Sequence, residues 1–166
     1  MRHGMRSGKM MVLALGAMLA GCAATAPARA PSSTEQVAER FIDLHRRGWA
    51  TGEWGEYLAL ISDDFTFWMP AGDVRGKNVG KTAWERYVRS ATQAGTRLTI
   101  SAPQVLTMSG DHFVFESTSE GLLFGKVPWK NRVAISVDVR DGKIVGFREY
   151  FGDLDPEFLR MLAGPK

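Results

Sequence analysis

A single cysteine, three histidines and no charge imbalance beyond the first 21 residues leave this 166-residue chain few routes to covalent or metal chemistry. Cys22 has no second cysteine to pair with, so burial rather than disulfides must hold the fold. His3, His45 and His112 lack metal-ligand spacing, which argues against a metal centre. No serine lies in a G-x-S-x-G nucleophile elbow, and Gly76 to Lys81 (GKNVGK) lacks the P-loop spacing and reads as an ordinary turn. No cofactor is therefore expected. Of the 21 basic residues, Arg2, Arg6 and Lys9 precede Cys22, and the 18 that remain balance 18 acidic ones. A neutral body of this kind has no nucleic-acid footprint. The apolar run from Met10 to Ala20 is too short to span a bilayer as a mature helix.

That run is nevertheless informative. A basic head, a short apolar stretch and small residues before Leu19-Ala20-Gly21-Cys22 read as a secretory signal. The tetrapeptide resembles the lipobox of bacterial lipoproteins. The resemblance implies that residues 1–21 are removed and that Cys22 becomes the lipidated first residue, with the membrane as partner. More than one acyl chain is needed, because a single chain anchors only marginally. Ala23 follows the cysteine where the common sorting pattern would need aspartate for inner-membrane retention, so the expectation is a periplasm-facing outer-membrane anchor. Residues 22–33, with Pro27 and Pro31 and no apolar periodicity, read as a flexible tether. One domain over 34–166 is expected, with enough aromatic and aliphatic residues for one core.

Ser33 and Gln36 have capping-box spacing, and Val37, Phe41, Leu44 and Gly48 recur at helical intervals, so 34–48 is a helix. Trp54, Tyr57, Leu58 and Ile61 repeat that pattern after Gly52. Phe65 to Pro70 is a short strand, 72–80 a glycine-rich loop, and Trp84, Tyr87, Val88 and Ala91 mark a third helix ending near Gly95. Sheet follows: 97–107 with a break at Pro103, His112 to Phe124 in alternation, then Asn131–Val139 and Ile144–Phe151 joined by the hairpin signal Asp141-Gly142. Pro128 and Trp129 read as a connection. Asp155-Pro156 announces a short terminal helix. Helices followed by antiparallel strands make an α+β layout, three helices on one curved sheet.

The order of these elements, with Ala38-Glu39-Arg40-Phe41, Asp63-Asp64-Phe65, Asn131-Arg132-Val133, Asp141-Gly142-Lys143-Ile144 and Phe147-Arg148-Glu149-Tyr150-Phe151, resembles the NTF2-like superfamily over residues 34–154. Within it, the SnoaL-like and ketosteroid-isomerase-like proteins are most similar. The resemblance implies a cone with an apolar cavity and hosts isomerases, cyclases, hydrolases and binders alike. It also implies positions to test. The isomerase base falls at Met69, its tyrosine donor at Phe41 and its aspartate donor near Ile135, none of which exchanges a proton, so that mechanism is not expected. For a limonene-epoxide-hydrolase-like site, the tyrosine and asparagine fall at Thr66 and Trp68. Only the aspartate position retains a carboxylate, at Glu149.

Glu149 alternates with Phe147 and Phe151 and shares their face. Two readings stand: a functional acid in an apolar wall, or a salt bridge to an arginine across the sheet. Glu116, in the middle of HFVFESTSE, forms an acid–base pair with Glu149 if its face lines the cavity, and is otherwise a solvent-facing residue. Trp68, Trp84, Tyr87, Trp129, Asn131, Phe147 and Phe151 complete the expected ligand-binding set, though Trp84 and Tyr87 also fit an ordinary core stripe. His45, beside Arg46 and Arg47, is placed on the solvated side of its helix. The leading functional expectation is binding of a small hydrophobic molecule. The alternatives are an isomerase, cyclase or hydrolase using Glu149 with Glu116, and a dimeric interaction module docking through a large apolar outer sheet face.

Overall fold

The computed structural model describes residues 33–152. The signal, the tether and the helix expected after Asp155-Pro156 lie outside the described residues. Helix α1 (Ser33–Thr51) buries one stripe, Ala38, Phe41, Ile42, Leu44, His45, Gly48 and Trp49, at the i, i+3, i+4, i+7 spacing of an amphipathic helix. It runs three residues past the expected end and stops where Gly52 takes φ +85 and donates its N–H to the Gly48 carbonyl at 2.8 Å. Helix α2 (Gly55–Leu60) follows, and helix α3 (Lys81–Gln93) buries Trp84, Val88 and Thr92.

Close packing of α1 on the following segment rests on a missing side chain. A Cβ at Gly48 would stand 2.3–2.7 Å from the Trp54 ring. Trp54 cannot yield easily, being 1% exposed and donating its indole N–H to Thr92 Oγ1 at 3.3 Å. Gly48→Ala gains up to about 1 kcal/mol of helix propensity but forces a methyl into a filled site, at about 1–3 kcal/mol. We expect a net loss near 1 kcal/mol in urea denaturation; a stabilised variant would contradict this packing.

The sheet is curved and unclosed, with strand order β2-β1-β7-β6-β5-β3 and β4 also paired to β5. Its members are β1 (Ile61–Met69), β2 (Gly76–Val79), β3 (Arg97–Ile100), β4 (Val105–Ser109), β5 (His112–Leu123), β6 (Val127–Arg140) and β7 (Lys143–Phe151). All pairings are antiparallel except β1 with β7. The break at Pro103 separates β3 and β4, which pair with successive parts of β5. The Asp141-Gly142 hairpin has φ of 51 and 73 at its two central residues, the backbone that this dipeptide favours.

Two expectations are corrected. The 72–80 loop contains β2, which covers the outer edge of β1 by pairing Thr66 with Val79 through Met69 with Gly76. Trp129 lies inside β6, not in a connection; the turn is further back, at Phe124 and Gly125, both at positive φ.

Strand alternation gives the sheet two distinct faces. Phe65, Phe67, Phe113, Phe115, Ile135 and Phe147 point to the helices and form the core with Phe41, Tyr57 and Trp84. The rings interlock at centroid distances of 4.9 Å for Trp84 with both Phe67 and Phe147, and 5.3 Å for Phe41 with Tyr57. The other face carries mostly polar side chains, with Trp68 and Tyr150 among them.

Candidate functional site

The core does not fill the whole space under the helices. A cavity of about 740 Å³ lies between the inner sheet face and helices α1 and α3. Its walls are mostly apolar, including Trp49, Leu98, Val133 and Ile135. The exposed residues Asp73, Arg86, Ser90 and Phe124 also line it and mark where it meets solvent.

Of the expected site residues, Glu149, Tyr87, Trp129 and Phe151 stand on this wall. Trp129 is held by its indole N–H, which donates to Ser119 Oγ at 2.8 Å, and it meets Phe151 edge-on at 5.3 Å. Trp84 and Phe147 are fully buried core beneath the wall. Asn131 is buried on the inner face, and both its amide nitrogen and its oxygen lack a hydrogen-bond partner.

Two members of the set lie elsewhere. Trp68 follows the outward alternation of β1 and stacks on Tyr150 at 5.3 Å, across the sheet from the cavity. Glu116 is also on the outer face, where its carboxylate accepts from Arg132 at 2.5 Å. The expected Glu116–Glu149 pair is therefore impossible, because the sheet separates the two carboxyls. The register shows why: Ile135 pairs with both Phe115 and Glu149, so Glu116 is one residue out of step with Glu149 and faces the other way.

Glu149 makes no hydrogen bond or ion pair among the described residues, so the salt-bridge reading is not what this strand adopts. Loss of water inside the cavity pushes its carboxyl up from 4.5 to about 7. The side chain is partly accessible, but to the cavity space rather than across the outer surface. Two phenols sense its charge: Tyr57 and Tyr87 are both raised above their ordinary range, chiefly by burial and then by Glu149. Tyr57 Oη and Trp84 Nε1 influence each other, yet neither completes a hydrogen bond of normal geometry.

His45 corrects the sequence reading most. It is 2% exposed, lines the cavity, and is lowered by burial to about 3, so its imidazole is neutral. The neighbouring arginines suggested solvent, but each leaves the stripe: Arg46 donates to the Ile100 carbonyl at 2.9 Å and Arg47 pairs with Glu56 at 2.7 Å. The available signal was spacing, since His45 is four residues beyond Phe41 on the buried stripe.

The outer face is polar rather than broadly apolar. Arg148 binds Asp138 through two nitrogens at 2.8 and 3.0 Å, and His112 Nδ1 meets the same carboxylate at 2.8 Å. Arg148 is the main cause holding the Asp138 carboxyl low. The aromatic contribution here is the Trp68–Tyr150 pair. Among the described residues, no group of three or more His, Cys, Asp or Glu side chains is placed to hold a metal ion.

The helices packed on an unclosed, mostly antiparallel sheet define the NTF2-like fold class. Residues 38–147 match the SnoaL-like domain model, and the chain belongs to that family. It is similar to an NTF2-like protein from Anabaena variabilis at 41% identity and TM-score 0.68, covering 73% of this chain and 90% of that one. A candidate isomerase from Bacillus subtilis shares 19% identity at TM-score 0.66, covering 82% and 98% of the two chains. An LEH-like epoxide hydrolase from M. tuberculosis shares 18% at TM-score 0.58, with 77% and 93% covered. The last two show likeness of fold alone. No curated protein matches the chain.

Proposed function

We propose that the cavity receives a small, largely apolar molecule and that Glu149 exchanges a proton with it, as an isomerase or cyclase acting next to a carbonyl would. The supporting observation is a lone carboxyl, free of any cation, on an apolar wall of a roughly 740 Å³ cavity. That volume is in the range of small-molecule pockets. A carboxyl titrating near 7 is divided between acid and base at neutral pH, which suits proton removal at one carbon and return at another. Binding without chemistry, the simpler expectation, does not account for a charged-type residue on a wall that an apolar side chain would stabilise more.

The test needs no natural substrate. 2-Tetralone in deuterium oxide reports proton exchange at the carbon beside its carbonyl by NMR. The protein is expected to accelerate exchange, and Glu149→Gln to reduce that acceleration about 10²- to 10⁴-fold while still binding the ketone. Equal exchange by both proteins would overturn the role of Glu149.

We also propose that lipid on Cys22 holds the domain at the cell envelope, on the outer membrane where the cell has two. The support is the signal-like segment ending in that residue. Cys22→Ser is expected to move the protein from the membrane to the soluble fraction; unchanged membrane retention would reject the anchor.

A further inference from the structure

We propose that His45 is the second ligand-contacting group of this cavity, donating Nε2–H to the oxygen of a bound uncharged ketone or phenol. The inference rests on the cavity reading above and adds to it a residue and a ligand class.

The ring's setting carries the argument. Phe41 stacks on it at 5.6 Å and 16°, Tyr57 and Phe147 lean on it at 5.6 and 5.9 Å, and Trp49 meets it edge-on at 6.4 Å. Four rings therefore fix its orientation. Nδ1 is sealed from solvent with no partner, whereas Nε2 is not among the sealed atoms. Nε2 has no hydrogen bond among the described residues, and His45 lines the cavity, so Nε2 is the nitrogen that opens onto it. A proton on Nδ1 would be an orphaned buried donor. A proton on Nε2 can meet a ligand, and leaves only an acceptor unmet at Nδ1.

A polar imidazole gripped by aromatic rings is costly unless its free nitrogen finds an acceptor. The ligand class follows from charge. Glu149 lines the same cavity from β7 as His45 does from α1, and the described cation lining the cavity, Arg86, is exposed where the cavity meets solvent. An ionised carboxylate or phosphate would find no counter-charge beside His45. An uncharged, largely apolar molecule bearing one carbonyl or hydroxyl oxygen satisfies the imidazole without that penalty. Phe147 links the two groups: it packs against His45, and on β7 it precedes Glu149 by two on the same face. An oxygen held by Nε2–H would gain negative character as Glu149 removes a proton from the neighbouring carbon. Glu149 carries that proton until it returns, and no other reactant is needed.

The test compares naphthalene with 2-naphthol at pH 6, using 15N-histidine-labelled protein for NMR and calorimetry for affinity. 2-Naphthol is expected to bind roughly five- to tenfold tighter than naphthalene, and to move the His45 Nε2 resonance while naphthalene does not. His45→Phe is expected to cut the preference to less than about threefold while naphthalene binding persists. His45→Gln, which keeps a donor, is expected to retain part of it. If both probes bind equally and the Nε2 resonance stays still, the role of His45 is refuted and the cavity reading survives. If neither probe binds, the cavity reading fails and this inference fails with it. The wild-type resonance decides even if a variant does not fold.

Discussion

Glu149→Gln is expected to stabilise the protein by up to about 3 kcal/mol at pH 8.5 and to change little near pH 4, read from urea denaturation at the two pH values. The carboxyl rises from 4.5 in the unfolded chain to about 7 in the fold, and each unit of difference corresponds to about 1.4 kcal/mol. Below 4.5 both states hold the proton and folding loses nothing. Between 4.5 and 7 the unfolded chain releases the proton while the folded one keeps it, so stability falls as pH rises. Above 7 the loss is complete, and the folded protein carries a carboxylate on an apolar wall. Glutamine never ionises and never incurs that loss. A salt-bridged glutamate would give the opposite sign, with its replacement destabilising at high pH. Parallel pH–stability curves for the two proteins would show that Glu149 is solvated and would undermine its chemical role. The combination of greater stability with lost proton exchange is the expected mark of a site residue kept at the expense of the fold.

The legibility of this fold depended on the length of each pattern. The α1 and α3 stripes repeat over several turns, and β5 alternates over its first eight residues, so each identified itself. The Asp141-Gly142 turn was equally plain, because few dipeptides tolerate two successive positive φ values. Strand β2 has four residues, opens on Gly76 and is followed by Gly80, and what makes it a strand is the open edge of β1. No local pattern reports that edge.

The candidate site was less legible because alternation separates the two faces of a strand without saying which face meets the helices. Trp68 alternates with Phe65 and Phe67 along β1 and so faces away from them. Once those two phenylalanines enter the core, Trp68 must leave the cavity. Strand β7 is subtler. Ile144 and Phe147 are three apart, yet both are buried, because the pairing with β6 shifts between Asp138 and Val139. Counting in twos from Ile144 puts Glu149 outside; counting from Phe147 puts it inside, where it is. The position of Glu116 depended on register across two hairpins. His45 was obscured by its charged neighbours, although its own spacing was helical and inward.

Buried and neutral in the same cavity, His45 supplies the second large expectation: His45→Phe should stabilise the protein by about 3 kcal/mol near pH 4.5, and by less at pH 7. Its folded value of about 3 is below the ordinary 6.5. Stability from this group is therefore intact above 6.5 and is lost as pH falls towards 3, because the unfolded chain takes up a proton that the folded one refuses. At pH 4.5 two units of that loss have accumulated. Glu149 runs the other way over the same interval, gaining stability as pH falls from about 7 to 4.5. The two slopes are about 1.4 kcal/mol per pH unit and opposite in sign, so between 4.5 and 6.5 they cancel. The wild-type protein should show a nearly flat stability profile across that window, with each single variant exposing its partner's slope. His45→Phe should lose stability as pH rises from 4.5 to 7, whereas Glu149→Gln should gain it from 4.5 to 6.5. Phenylalanine suits the aromatic surroundings and removes the unpartnered Nδ1, so repacking is not expected to mask the effect. If both variants instead follow the wild-type profile, neither group is withheld from water, and the cavity cannot be the dry, low-dielectric space that proton transfer by Glu149 requires.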